Sequence, residues 1–135
     1  MGTKFSTRVW VSVVGIASIF FGSKGYADTV ISVADFGLKP DTRENAVAYV
    51  QKAIEACRGK EPVTLVFPEG RYDFWPQYAH EKNYYETNTY DVFPKRLAML
   101  FEGLHNITVD GNGSQFVMHD RIQPITVENC DGVTL

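Results

Sequence analysis

The last third of the chain contains four apolar triplets at short, regular spacing: Ile107-Thr108-Val109, Phe116-Val117-Met118, Ile125-Thr126-Val127 and Val133-Thr134-Leu135. Their first residues fall at positions 107, 116, 125 and 133, so the steps are nine, nine and eight residues. Connections rich in Gly, Asn and Asp separate the triplets. Short strands at a constant spacing with turn residues between them are typical of a solenoid or a β-sandwich.

A second, longer period distinguishes these two architectures. The segment 104–109 matches the segment 130–135 at an offset of twenty-six residues, which is three strand-and-turn units. Three strands followed by a return to the starting face describe one coil of a parallel β-helix, in which the residues flanking each Thr point inward and stack on their counterparts one coil away. The pattern therefore favours a β-helix, and the alternative is a small antiparallel β-domain.

Length, charge and cysteine content limit the number of domains, the kinds of partner and the disulfides to be expected. The chain has 135 residues and a net charge of -3, which is enough for one modest domain. It has no basic stripe, so nucleic acid is not expected as a partner. Cys57 and Cys130 are the two cysteines. Both a disulfide and two buried free thiols fit the pattern, and we do not predict a disulfide.

The first residues have the composition of a secretory signal peptide. Lys4 and Arg8 precede the apolar run 9–22, and the small residues Gly25 and Ala27 occupy the two positions that a signal peptidase reads. The apolar run is shorter than the roughly twenty residues that span a bilayer. The sequence therefore predicts cleavage after Ala27 and an exported protein, periplasmic or secreted, with no membrane attachment after cleavage.

Residues 28–71 are predicted to form an N-terminal cap of strand, helix and strand. The strands are the β-rich run 29–33 and the apolar run 63–67. Asp41 or Thr42 is a candidate helix N-cap. Six apolar residues then share one helical face: Ala46, Val47, Val50, Ala53, Ile54 and Cys57. Such a helix, laid across the open end of a β-helix, covers its apolar core and unpaired backbone.

Three pieces of this cap resemble the opening of the pectin-lyase-like right-handed β-helix proteins: Ala34-Asp35-Phe36-Gly37, Ile54-Glu55-Ala56-Cys57 and Val66-Phe67-Pro68-Glu69-Gly70-Arg71-Tyr72. The resemblance implies an all-β fold, a right-handed parallel β-helix with an N-terminal capping α-helix. It is specific for the fold and not for function, since lyases, polygalacturonases, phage tailspikes and many glycosidases share it. We divide the chain into a signal peptide (1–27), the cap (28–71), an aromatic-rich insertion leading into the first coil (72–103) and incomplete first coils (104–135).

Later pieces narrow the resemblance to one family of enzymes: Tyr72-Asp73-Phe74-Trp75-Pro76, residues 81–89, residues 111–121 and Gln123-Pro124. Together they resemble the exo-acting α-1,3-galactosidases of glycoside hydrolase family 110, over about Asp35 to Leu135. These enzymes remove terminal galactose from blood-group-B-type and linear glycans. The resemblance implies an inverting glycosidase whose partner is a galactose-terminated oligosaccharide or glycoconjugate, with no cofactor. One departure is Asp120, where the resemblance implies Gly.

No catalytic residue is assigned within the chain. Inverting glycosidases place two carboxyl groups roughly 6.5–9.5 Å apart, to leave room for a water. The resemblance implies that these carboxylates stand on central coils, beyond Leu135. We therefore expect the chain to be an N-terminal fragment of the enzyme, or the product of a truncated gene, and to be inactive alone.

Three residues are candidate substrate contacts: Trp75, His119 and Arg121. Arg and His can hydrogen-bond sugar hydroxyls, and an aromatic ring packs against the apolar face of galactose. The alternative for His119 and Arg121 is an internal polar network. The alternative for the aromatic insertion is packing against the outside of the β-helix; Trp75 is its best candidate for a sugar contact, and the other members are Tyr78, Tyr84, Tyr85, Tyr90 and Phe93. No metal site is predicted from the three His residues at 80, 105 and 119.

Two other functions use the same fold and stay open at this stage. One is a polysaccharide lyase or polygalacturonase, and the other is a non-catalytic β-helix protein that binds glycans. Only the pieces between Tyr72 and Pro124 favour the galactosidase over these. The oligomeric state is not indicated by the sequence.

Overall fold

The computed structural model describes residues 29–83 and 94–135. The predicted signal peptide (1–27) and the insertion residues Tyr84, Tyr85, Tyr90 and Phe93 lie outside these ranges. The described residues form one 3₁₀ helix (Val33–Phe36), one α-helix and nine strands: β1 Thr29–Ser32, α1 Val47–Cys57, β2 Val63–Val66, β3 Arg71–Phe74, β4 His80–Lys82, β5 Lys95–Glu102, β6 His105–Asp110, β7 Gln115–Met118, β8 Gln123–Glu128 and β9 Asp131–Thr134. None of the described helices is long and apolar enough to cross a membrane.

The strands form three sheets that are almost entirely parallel. Their orders are β1-β2-β6-β9, β3-β7 and β4-β5-β8. Among the strands of residues 29–83 and 94–135, only β4 and β5 pair in antiparallel orientation. Every parallel pair is joined by a long connection, as parallel pairing requires: helix α1 lies between β1 and β2, and strands of the other sheets lie between the members of the remaining pairs. The alternative of a small antiparallel β-domain is therefore wrong for the described residues.

The pairing register contains the predicted period. Ile107 on β6 pairs with Val133 on β9, and Leu97 on β5 pairs with Gln123 on β8, each at an offset of twenty-six residues. The earlier pairings β2–β6 and β3–β7 have an offset of forty-four. The longer offset arises because residues 75–94, which include β4, are inserted between β3 and β5.

The bends of the chain repeat with the same period. Gly103 and Asn129 stand twenty-six residues apart, with φ angles of 62° and 51°, and Asn106 and Gly132 have φ angles of 47° and 70°. Gly and Asn adopt this left-handed backbone at lower cost than other residues. A Cβ atom on Gly132 would lie 2.7 Å from Oδ1 of Asn106, so a larger residue at this position would displace the Asn106 side chain.

The core consists of inward-facing side chains stacked on their register partners: Tyr72 on Phe116, Phe74 on Met118, Met99 on Ile125, Phe101 on Val127 and Ile107 on Val133. The first member of each pair is at most 1% exposed. The second members are partly exposed, and Ile125 and Val127 reach 36% and 46%. The β7-β8-β9 end of the stack therefore presents an apolar surface.

The apolar face predicted for helix α1 is buried, at all six of the residues named for it. The predicted start of the helix at Asp41 or Thr42 is wrong. The helix begins at Val47, and the N–H of Val47 donates to Oδ1 of Asn45 at 3.2 Å. Asp41 instead accepts from the N–H of Arg71 at 3.0 Å, so a tertiary contact engages it.

Both thiols are free. Cys57 is buried and donates to the carbonyl of Ala53 at 3.3 Å. Burial raises the pKa of Cys57 to about 11. Cys130 lies half-buried beside the backbone of Leu104 and Phe101, at 3.4 Å and 3.3 Å. The two cysteines therefore have separate packing roles.

Candidate functional site

Two of the three candidate substrate contacts lie side by side. Trp75 directly follows β3 and His119 directly follows β7, and these strands are parallel neighbours in which Phe74 pairs with Met118. The indole and imidazole rings stack with centroids 4.0 Å apart and planes 2° apart. Both side chains are half-buried, so the stacked pair reaches the surface.

A buried carboxylate holds the imidazole in place. Asp73 is 1% exposed, and its Oδ1 lies 2.6 Å from Nε2 of His119. Arg71, two residues earlier on the same face of β3, donates to Oδ2 at 2.9 Å and to Oδ1 at 2.6 Å. The hydrogen bonds from Arg71 hold the pKa of Asp73 at about 2, with a smaller contribution from His119, and burial opposes them. Asp73 is therefore a carboxylate at neutral pH.

This carboxylate determines which imidazole nitrogen carries the proton. An ionised carboxylate can only accept hydrogen bonds, so Nε2 of His119 is the donor. Nδ1 of His119 has no hydrogen-bond partner among the described residues, and neither does the indole N–H of Trp75. In the described ranges, only Gln123 Oε1 and Thr126 Oγ1 are buried side-chain atoms without a partner. Nδ1 of His119 and Nε1 of Trp75 are therefore accessible at the surface.

The backbone of Trp75 is fixed by Asn45, which precedes helix α1. Oδ1 of Asn45 accepts from the N–H groups of Trp75 and Val47, both at 3.2 Å, and its Nδ2 donates to the carbonyl of Gln77 at 2.8 Å. One amide side chain thus joins the start of α1 to the segment that carries the indole. The stacked pair is consequently attached to the cap and to both strands of its sheet.

Arg121 is placed differently from the other two candidates. It is exposed, and no hydrogen bond or ion pair joins it to a described residue. Asp120, just before it, has a φ of 57°, which Gly adopts freely and Asp tolerates better than most residues. The departure from Gly at this position is therefore compatible with a left-handed turn.

Arg71, Asp73 and Asn45 belong to the site and are not among the residues predicted from the sequence. A signal for the first two was present, because Arg and Asp at i and i+2 of a strand lie on the same face. Nothing local indicated that His119, forty-six residues further on, would join them. Asn45 makes its contacts thirty and thirty-two residues away, and these are equally invisible in the local pattern.

Three other described carboxylates, Asp110, Glu102 and Glu128, have partners outside the site. Asp110 accepts from the N–H of Asn112 at 2.8 Å, so it stabilises the turn that follows β6. Lys82 bridges Glu102 and Glu128 at 2.6 Å and 2.8 Å, and these two glutamates are register partners on β5 and β8. Across residues 29–83 and 94–135, no three His, Cys, Asp or Glu side chains are grouped to hold a metal ion.

Comparison with known proteins identifies relatives of one kind. No protein-family model matches the chain. It is 62% identical over 109 residues to α-1,3-galactosidase B of Bacteroides thetaiotaomicron, a match that covers 81% of this chain and 18% of that protein. It is 38% identical over 105 residues to α-1,3-galactosidase A of Shewanella woodyi, covering 78% and 17%. It is 37% identical over 129 residues to α-1,3-galactosidase B of Phocaeicola vulgatus, covering 90% and 20%. The matched regions thus make up 17–20% of the length of these relatives.

Proposed function

Because the chain belongs to the same family as the α-1,3-galactosidases, we propose that it forms the N-terminal part of a glycoside hydrolase that removes terminal α-1,3-linked galactose from glycans. The identity of 62% over 109 residues carries this proposal. The substrate is a galactose-terminated oligosaccharide or glycoconjugate of the blood-group-B or linear type. No observation on the described residues favours a lyase, a polygalacturonase or a non-catalytic glycan-binding protein over this.

The fold proposed for the whole enzyme is a right-handed parallel β-helix. The twenty-six-residue register and the repeated left-handed bends support it. The partly exposed apolar residues at the β7-β8-β9 end, with Ile125 and Val127 the most exposed, support it further. An additional coil in the same register would bury them and pair the edges of all three sheets. Helix α1 caps the opposite end.

The catalytic carboxylates are proposed to lie on those additional coils. The described carboxylates closest to the stacked pair are poor candidates, since Asp73 is held by Arg71 and the exposed Asp120 lies in a turn. An inverting mechanism requires an acid and a base on opposite sides of the sugar, with a water between them. On this proposal the 135 residues alone are inactive.

The stacked pair of Trp75 and His119 is proposed to contact the sugar. An aromatic ring packs on the apolar C–H face of galactose. The accessible indole N–H and the accessible Nδ1 of His119 provide one donor and one acceptor beside it. Residues 1–27 are proposed to export the enzyme, which would bring this surface to glycans outside the cytoplasm.

The test is galactose release by the full-length protein from an α-1,3-galactosyl disaccharide, with the α-1,4- and β-1,3-linked isomers as controls. We expect release from the α-1,3 isomer alone, and no release by the 135-residue chain. A folded full-length protein that releases no galactose from any of the three would overturn the proposed function.

A matched pair of variants tests the sugar contact. Trp75→Leu removes the stacked ring, and Tyr78→Leu removes an exposed ring three residues away. Because an aromatic contact is worth about 0.5–1.5 kcal/mol, KM is expected to rise roughly tenfold at most in the first variant and to stay unchanged in the second. Equal KM values in both variants would contradict a sugar contact by Trp75.

A further inference from the structure

The Asp73 carboxylate accepts hydrogen bonds from two different side chains, Arg71 and His119. Arg71 already neutralises it through two hydrogen bonds, of 2.9 Å and 2.6 Å. The contact with His119, at 2.6 Å, adds a third hydrogen bond to an anion that Arg71 already pairs. Asp73 therefore connects the ion pair with Arg71 to the imidazole of His119.

The consequence of this connection is visible in the geometry of the imidazole. A neutral imidazole has one donor nitrogen and one acceptor nitrogen, and Asp73 takes the donor, Nε2. Stacking on Trp75 fixes the plane of the ring. A half-turn of the ring would break the hydrogen bond to Asp73, so both the plane and the orientation are determined. Nδ1 is left as an acceptor with a fixed direction at an accessible position.

We propose that Asp73 is a positioning residue, which holds His119 as the Nε2–H tautomer so that Nδ1 accepts a hydrogen bond from one hydroxyl of the bound galactoside. This inference rests on the proposed function. It adds a requirement on the ligand. The galactoside must carry a hydroxyl that donates to Nδ1 of His119, close to the sugar face that packs against Trp75. A carboxylate that accepts from one imidazole nitrogen determines which nitrogen is left to face a ligand.

The first variant, His119→Gln, keeps the pair of Arg71 and Asp73 intact. The Gln amide can still donate to Asp73, but it has no acceptor at the position of Nδ1. His80→Gln, at an exposed His on β4, is the matched control. The loss of one hydrogen bond is expected to raise KM about three- to tenfold in His119→Gln, with kcat unchanged, and to leave the control at the KM of the unmodified protein.

A series of monodeoxy galactosides then identifies the hydroxyl. In the unmodified full-length protein, one deoxy position is expected to raise KM about three- to tenfold, and in His119→Gln the same position is expected to have no further effect. If every deoxy position costs the same in both proteins, Nδ1 accepts from no sugar hydroxyl and the inference fails. Galactose release would still occur in that case, so the proposed function would stand.

The role of Asp73 has a separate readout. With ¹⁵N-labelled His in the full-length protein, His119 is expected to show only the Nε2–H tautomer. In Asp73→Asn the Asn amide can also donate, so a mixture with the Nδ1–H tautomer is expected. A single unchanged tautomer in Asp73→Asn would overturn the positioning role. This measurement needs no substrate, so it is independent of whether the protein is a galactosidase.

Discussion

Replacing Arg71 with Met separates the effect of burial from the effect of ion-pair geometry. The variant removes both hydrogen bonds to Asp73 and leaves a carboxylate that is 1% exposed with His119 alone. Breaking a buried pair by removing one partner costs about 3–5 kcal/mol. The side chain of Arg71 is 29% exposed and His119 keeps its hydrogen bond, so we expect the lower end, about 3 kcal/mol.

A control with the same geometry exists on the surface. Arg58 also makes two hydrogen bonds to a carboxylate, 2.9 Å and 3.2 Å to Glu55, but the two side chains are 47% and 66% exposed. An exposed pair of this kind contributes about 1 kcal/mol or less. Arg58→Met is therefore expected to cost at least about 2 kcal/mol less than Arg71→Met.

Native-state hydrogen exchange in the full-length protein measures the difference locally. The N–H groups of His119 and Ala46 donate to the carbonyls of Phe74 and Asp73, so their protection reports on opening of the site. A loss of about 3 kcal/mol lowers protection roughly a hundredfold. Equal losses in Arg71→Met and Arg58→Met would refute the reasoning. Adding Asp73→Leu to Arg71→Met is expected to restore much of the protection, because it removes the uncompensated charge.

Two further predictions concern pH and the turn before β3. The pKa of Asp73 is lowered from 3.8 to about 2, so the contribution of its carboxylate to stability is complete above the ordinary pKa and is lost as pH falls towards 2. Hydrogen-exchange protection at the site is therefore expected to decline between about pH 4 and 2. Unchanged protection over that range would contradict this prediction. Gly70 has a φ of 149°, and a Cβ there would lie 2.4 Å from Cβ of Pro40. Gly70→Ala is expected to lower the free energy of unfolding, measured in urea, by more than about 2 kcal/mol. The control Gly113→Ala is expected to lower it by about 1 kcal/mol, because Gly113 has a φ of 70° but open space around it. Equal losses in the two variants would show that backbone movement relieves the clash.

The parts of the fold that follow from local periodicity were predicted correctly. The offset of twenty-six residues between the segments 104–109 and 130–135 is the register of β6 and β9. The apolar face of α1 is buried at all six predicted positions. Both patterns come from the direction of each side chain relative to its own backbone, which depends on the residues beside it and hardly on the rest of the molecule.

The start of α1 shows where local reasoning fails. Asp41 and Thr42 have the residue types of an N-cap, but Asp41 is engaged by Arg71 and the helix begins at Val47. The side chain that satisfies its first turn belongs to Asn45, which also holds the backbone of Trp75. Capping propensity is a small local term, and contacts thirty residues away outweigh it here.

The same distinction divides the candidate site. The sequence by itself indicated Trp75 and His119 as candidate sugar contacts, and it contained the i, i+2 spacing that places Arg71 and Asp73 on one face of a strand. Only the tertiary structure decided that these four side chains meet, because β3 and β7 pair at an offset of forty-four residues and not at the period of twenty-six. That longer offset depends on the number of residues inserted between the strands, and this number cannot be predicted from the twenty-six-residue period.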